Sequence, residues 1–236
     1  MDKILNYQVS LFGQFMNIKP EQTLINKLLS VLKDFLPGVT NVSSINILTN
    51  QIQVEERMQF VSSDRSYSIV FLPDRIDICY IYNPSLKNEK SFDEIIKKSS
   101  ELLSILNEEF PTLPSNRLAT SCNCLSKKFD TKDYTDFINA QTNKDIFFKD
   151  KKLFEWGIRY NSKFEEIISE KAELTNHIID IKKAFQNNSE TNQFVILFDI
   201  NTDPTNISNR FAFTDLINFQ STSNTLIKGY INAIEG

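Results

Sequence analysis

Asp180-x-Lys182 has the residue types of a metal-dependent hydrolytic centre, in which carboxylates hold Mg²⁺ and a lysine steadies the attacking water. Asp150-x-Lys152 repeats the spacing, and Asp199 could supply a second carboxylate from a neighbouring strand. A metal-dependent nuclease or hydrolase using Asp180, Lys182 and Asp199 is therefore one reading of the chain. Asp199-x-Asn201-x-Asp203 opens like a calcium loop, with alternate oxygens turned to one cation. Pro204 stands where that loop needs a flexible Gly and Arg210 where it needs a bidentate Glu, so a strand end followed by an Asx-rich turn is expected instead. Cys122 and Cys124 fall on one face of an expected strand, but a closed zinc site needs four ligands and only Cys79 and His177 remain. They read as small core residues, and no metal site is expected. The lone His177 excludes multi-histidine metal centres. It could act as a general base or pH-sensitive group, or simply sit at a sheet edge or helix flank.

The other familiar chemistries are missing. The 5 glycines are isolated, so no G-x-G or G-K-[ST] phosphate loop and no Gly-x-Ser nucleophile elbow is present, and no cofactor is expected. Lys and Arg total 26 against 30 Asp and Glu, a net charge of -4, which does not favour nucleic acid as a partner. The Lys127, Lys128, Lys132 and Lys144 tract is interleaved with Asp130, Asp133, Asp136 and Asp145, the pattern of a mixed-sign solvated surface. Phe is abundant at 19, and Phe147, Phe148, Phe154 and Trp156 cluster around a Lys-rich loop. Phe147, Phe148, Lys149 and Trp156 are accordingly the candidate protein-binding residues, because large rings among polar neighbours dominate interface energetics. Core packing is the competing reading for Phe154 and Trp156.

The chain of 236 residues, 41% hydrophobic and 24% charged, is large enough to bury a core. Its first residues turn polar too soon for a secretory signal, no stretch approaches the roughly 20 apolar residues of a membrane span, and the odd cysteine count suits a reducing compartment. A cytoplasmic protein is expected.

Alternation over Asn6 to Phe15, with Tyr7, Val9, Leu11 and Phe15 on one face, predicts a strand. Leu24, Ile25, Leu28, Leu29, Leu32 and Phe35 predict a helix from Pro20 that Pro37-Gly38 stops. Short strands follow over Ile45–Leu48, Arg57–Ser62, Tyr67–Leu72 and Ile76–Tyr82, separated by turn residues at Ser63-Asp64 and Pro73-Asp74. Ser91-Phe92-Asp93-Glu94 is a capping box and predicts the start of a long helix that Pro111 and Pro114 end. Arg117–Ser126 then reads as a strand, Thr131–Ala140 as a helix, Leu153–Tyr160 as a strand and Thr214–Ile234 as a helix. Glu173–Gln186 fits either a helix stripe or a β-branched strand, and strand is the assignment chosen. The apolar run Phe194–Ile200 reads as a central strand buried on both faces.

Two halves emerge, 1–112 as β-α-β-β-β-β-α and 113–236 as β-α-β-β-β-α, forming one compact unit. The expected fold is α+β: two β-α-β(3-4)-α halves, a structural duplication, sharing an antiparallel sheet with helices packed on one face. No residue-level repeat accompanies it.

Arg57-Met58-Gln59-Phe60-Val61-Ser62-Ser63-Asp64, Ser68-Ile69-Val70-Phe71 and Pro73-Asp74-Arg75-Ile76 resemble the aromatic-V/S-S-x-D hairpin and "DR" strand of a sporadically distributed, uncharacterised prokaryotic family. Its members run to about 250 residues, within single-domain range. Asn116-Arg117-Leu118 is similar to that family's strand after the long helix, and Phe198-Asp199-Ile200-Asn201-Thr202 to its C-terminal signature. Cys122-Asn123-Cys124 departs from the pattern, as does the lack of a W-E-containing helix start. The resemblance implies the fold and a scattered bacterial distribution of the kind seen in phage-defence or toxin-neutralising genes, and implies no catalytic residue. Function by contact follows: a non-catalytic, protein-binding regulatory, neutralising or sensor subunit, with a small-ligand sensor binding in a groove between the halves as a further alternative.

Overall fold

The computed structural model describes residues 1–46, 51–141, 156–186 and 189–235. In chain order the elements are β1 (Lys3–Phe12), α1 (Gln22–Val31), β2 (Phe35–Asn46), β3 (Gln51–Ser62), β4 (Tyr67–Phe71), β5 (Arg75–Ile81), α2 (Phe92–Glu109), β6 (Arg117–Leu125), α3 (Thr131–Gln141), β7 (Gly157–Ile168), β8 (Lys171–Gln186), β9 (Ser189–Thr202) and α4 (Phe213–Glu235). The described residues thus form a mixed α/β protein, with one sheet of 9 strands and four helices. The order across the sheet is β2-β3-β4-β5-β1-β6-β9-β8-β7, and every pairing is antiparallel. No described helix is long and apolar enough to cross a membrane.

Alternation divides the sheet into two faces. Tyr7, Val9 and Leu11 of β1 share a face with Ile76, Ile78 and Tyr80 of β5, Leu118 and Cys122 of β6, and Phe194, Ile196, Phe198 and Ile200 of β9, all buried. The helices pack there. Tyr7 meets Phe92 of α2 edge-on at 6.0 Å, Phe198 stacks with Tyr230 of α4 at 6.2 Å, and Phe194 stacks with Tyr134 of α3 at 4.9 Å. Lys27 of α1 pairs with Glu109 of α2 at 2.7 Å, which sets α1 on the same side. The opposite face carries Gln8, Ser10, Asp77, Cys79, Ser121, Asn123, Asp199 and Asp180.

Local chemistry accounts for the ends of these elements. The Ser91 amide donates to Glu94 Oε2 at 2.8 Å and the Glu94 amide donates to Ser91 Oγ at 3.3 Å, so the capping box holds the start of α2. β8 is the strand expected over 173–186, since its neighbours β7 and β9 give both of its edges partners.

Four expectations are corrected. The first helix ends at Val31, and Pro37-Gly38 lie within β2 rather than beyond the helix as its stop. β2 is the outermost strand, where a proline without an N–H can be accommodated. Phe15 lies outside β1: the strand ends at Phe12, and Gly13 and Phe15 donate from their amides to Asp74 and Pro73 carbonyls. A Cβ on Gly13 would come within 2.8 Å of the Pro114 carbonyl, so this crossing accepts only glycine without displacing its neighbours. β7 runs on to Ile168 from Gly157; its burial shows no regular alternation, because it is an edge strand with most side chains exposed. Residues 153–155 lie outside the described residues. β9 is central but buried on one face only, since Val195 and Leu197 on the helix-free side remain half-exposed.

Candidate functional site

The turn between β3 and β4 is built by short polar side chains. Asp64 Oδ1 accepts from Ser62 Oγ at 2.6 Å and from the Ser66 amide at 3.0 Å, while Ser62 Oγ accepts from the Tyr67 amide at 2.9 Å. This Asx-type geometry lets Arg65 hold φ at 55°. The Ser63 amide and hydroxyl both donate to the Asp34 carbonyl, at 2.9 and 3.0 Å, tying the turn to the start of β2. From the other side Lys90, next to the α2 cap, reaches Asp64 Oδ2 at 3.1 Å. Burial pushes the Asp64 carboxyl up, but the hydrogen bonds from Ser62, Ser66 and Lys90 outweigh it and hold the group well below the usual carboxylate range.

These tethers frame a cavity of about 410 Å³ whose lining includes Asp34, Phe35, Ser63, Asp64, Tyr67, Lys90 and Lys98. That volume falls within the range of small-molecule sites. Tyr67 is only 4% exposed, its ring lies 5.5 Å from that of Tyr80, and its buried hydroxyl has no hydrogen-bond partner among the described residues. Burial, reinforced by the nearby Tyr80, Asp64 and Glu94, pushes that hydroxyl well above its ordinary pKa, so it stays a neutral donor. Lys98 meets Glu101 at 3.4 Å across one helical turn, an exposed pairing that leaves its ammonium available. The cavity therefore has Tyr67, with its buried neutral hydroxyl, in its lining and the cations Lys90 and Lys98 beside it.

A second cavity, about 200 Å³, lies between α2 and α4 and is lined by Ser100, Asn224 and Lys228 among others. Beneath it, Tyr7 donates to Asn224 Oδ1 at 2.9 Å, Gln220 donates to the Tyr7 oxygen at 3.1 Å, and Ser100 donates to Gln220 at 2.9 Å. This polar seam joins the two halves of the chain.

The residues singled out from sequence fall in different places. Asp180, Lys182 and Asp199 share the helix-free face; Asp180 lies opposite Leu197, which puts Asp199 diagonally across from it on the adjacent strand. Lys182 is 3.0 Å from Asp180, and Asp199 accepts from Asn201 at 3.1 Å. Among the described residues no three His, Cys, Asp or Glu side chains converge as a metal site. Cys79 is on the opposite face from Cys122 and Cys124, and burial pushes its thiol up to about 12. His177 is 4% exposed on the helix-bearing side, with Nδ1 2.7 Å from the Tyr230 hydroxyl and Nε2 3.0 Å from Thr175. Trp156 is a core residue, 8% exposed and 5.7 Å from the Phe194 ring. Phe147, Phe148 and Lys149 lie outside the described residues, as do Asp150 and Lys152.

From sequence Ser63-Asp64 is a turn with no functional part, and Tyr67, Lys90 and Lys98 carry none either. The polar turn between two strands was the one available signal, since Lys90 and Lys98 join it only through the packing of α2. Compared with known proteins, the chain matches no family model and no curated protein.

Proposed function

We propose that this chain is a non-catalytic binding protein that senses a small polar ligand in the cavity between the Ser62–Asp64 turn and α2. The observation that carries the reading is Tyr67, which lines the cavity and whose buried hydroxyl has no partner among the described residues, because such a group is destabilising unless something else accepts its proton. The ligand offers Tyr67 an acceptor and Lys98 a negative group. Ligand occupancy is passed to a protein partner, as in a regulatory or neutralising subunit acting in the cytoplasm.

The halves 1–112 and 113–236 are read as structural duplicates. From β1 the sheet runs outward as β5-β4-β3-β2, and from β6 as β9-β8-β7, with β1 and β6 adjacent. On this reading the β7–β8 turn answers to the β3–β4 turn. There Ser169 and Glu170 make a tight connection with positive φ, and Asn218 of α4 donates directly to Ser169 Oγ at 3.1 Å. A cavity borders the β3–β4 turn of the first half, and on this reading that copy is the one specialised for binding.

The test is a thermal-shift screen of the full chain with nucleotides, organic acids and amino acids, followed by calorimetric titration of any stabilising compound against the parent and Tyr67→Phe. Binding that weakens about tenfold in Tyr67→Phe, the value of one hydrogen bond, supports the reading. Absence of any stabilising compound, or equal affinity in the variant, overturns it.

A further inference from the structure

The four arginines that are buried or half-buried differ in how their guanidinium groups are satisfied. Arg57, 1% exposed, donates to the carbonyls of Phe15, Met16 and Ile18 at 3.3, 3.3 and 3.2 Å and pairs with Glu55. Arg210 contacts both carboxylate oxygens of Glu173, at 3.2 and 3.0 Å, and donates to the carbonyls of Asn116, Asn206 and Asp203. Arg75 places Nε 2.8 Å from Asp77 Oδ2. Arg117 has nothing comparable. Its Nε is buried without a partner, and no hydrogen bond or ion pair reaches its guanidinium among the described residues; its one contact of note is the Phe12 ring, 4.5 Å from Cζ.

Register explains the grouping. Phe12 of β1 lies opposite Arg75 of β5 on one side and Arg117 of β6 on the other, so one ring on the helix-free face is flanked by two guanidinium groups. The Arg75 Cζ is 6.0 Å from the ring centre. Asp77 and Asp74 are the acidic groups in contact with Arg75, and among the described residues none contacts Arg117. Asp77 is satisfied by Ser10 Oγ at 2.6 Å and by Arg75, and Asp74 is exposed with its oxygen 3.9 Å from Arg75. Asp77 thus fixes the Arg75 fork by one nitrogen and cancels its charge, while Arg117 has no ion pair among the described residues. A partly buried guanidinium is stable when its planar fork meets a carboxylate or phosphate, and none of the described residues offers Arg117 a carboxylate.

We propose that the Arg75–Phe12–Arg117 row binds an oxyanion group, phosphate or carboxylate, of a small molecule. Arg117 supplies the fork and the net charge, Arg75 a second contact across the ring, and Phe12 an apolar floor. The two arginines come from the "DR" and Asn-Arg-Leu segments, separate in sequence and joined only by β1. This site is on the face of the sheet away from the Tyr67 cavity, so either can fail without the other.

The experiment follows the arginine Nε–Hε resonances of the isotopically labelled full chain by NMR while inorganic phosphate, pyrophosphate or citrate is added, with sodium chloride matched in ionic strength as the control. The expected result is a saturable shift of the Arg117 signal with at least one probe and none with chloride. Arg117→Gln should weaken binding by at least about tenfold, as for loss of a charge-assisted hydrogen bond. Arg117→Lys retains the charge without the fork and should fall between, and Lys182→Gln on the same face should bind as the parent does. Response to phosphate and pyrophosphate alone identifies a phosphorylated ligand, and response to citrate alone a carboxylate. The proposal is overturned if no probe moves the signal at millimolar concentration, or if a folded Arg117→Gln or Arg117→Lys binds as tightly as the parent.

Discussion

The same substitution at two tyrosines should have opposite effects on stability. Tyr67 and Tyr7 are both buried on the helix-bearing face, at 4% and 0% exposure. The Tyr7 hydroxyl donates to Asn224 at 2.9 Å and accepts from Gln220 at 3.1 Å, whereas the Tyr67 hydroxyl has no partner among the described residues. Tyr7→Phe strips two buried amide groups of their partner and should destabilise the chain by about 1–3 kcal/mol. Tyr67→Phe removes a desolvated hydroxyl that returns nothing in the free protein, so stability should rise by about 1 kcal/mol. For a chain of this length that corresponds to an increase in Tm of about 2–4 °C. Calorimetric unfolding of parent, Tyr67→Phe and Tyr7→Phe, without ligand, reads both signs in one experiment. If Tyr67→Phe lowers Tm as much as Tyr7→Phe does, the Tyr67 hydroxyl is satisfied in solution and the ligand argument loses its foundation. A stabilised variant that binds ligand more weakly is the signature of a site maintained at the expense of stability.

Phe194→Ala should cost about 3–5 kcal/mol by denaturant titration, because the rings of Phe129, Tyr134, Phe137 and Trp156 all lie against Phe194, at 5.2, 4.9, 4.7 and 5.7 Å. Burial lowers the His177 pKa below its ordinary 6.5, with Glu166 opposing and the Tyr230 and Thr175 hydroxyls also facing the ring. The unfolded chain therefore takes up the proton first, so this contribution to stability is complete above that ordinary value and is lost as pH falls through the lower, folded one. Urea unfolding at several pH values should show a shallower acid loss in His177→Gln than in the parent. With Mg²⁺ or Mn²⁺ present, the purified chain should leave single- and double-stranded DNA and RNA intact on gels; cleavage abolished by Asp180→Ala would instead establish the carboxylate reading of Asp180, Lys182 and Asp199.

Much of the fold was legible because it rests on local periodicity. The alternation of Tyr7, Val9 and Leu11 and the stripe Leu216, Phe219 and Ile227 each describe one element's own buried face, the capping box at Ser91 marks one helix's start, and all three appear at the expected positions. Errors arose where tertiary position overrode the local signal. Pro37-Gly38 is a strong stop in isolation, yet an outermost strand leaves one edge unpaired and so accommodates it. β7 shows almost no alternation because most of its residues are exposed, so nothing in its pattern marks the end at Ile168. Val195 and Leu197 read as buried because they are apolar, but β9 has helices on one side alone.

The candidate sites were less legible for a physical reason: an unsatisfied polar group is defined by what is missing around it. Tyr7 and Tyr67 are indistinguishable as sequence positions, each an aromatic facing the core of a strand, and only the arrival of Asn224 and Gln220 from α4 separates them. Arg57, Arg75 and Arg117 likewise all occur in strands beside polar residues. Their different states follow from where the loop carbonyls of Phe15, Met16 and Ile18, the Asp77 carboxylate and the Phe12 ring fall across the sheet. Ser62-Ser63-Asp64, Asp74-Arg75 and Asn116-Arg117, which border the two proposed sites, carry no site signal of their own in the sequence beyond turn chemistry at Ser63-Asp64 and Asp74. Which residue there is left without a partner depends on strand register between positions such as Phe12 and Arg117, more than a hundred residues apart.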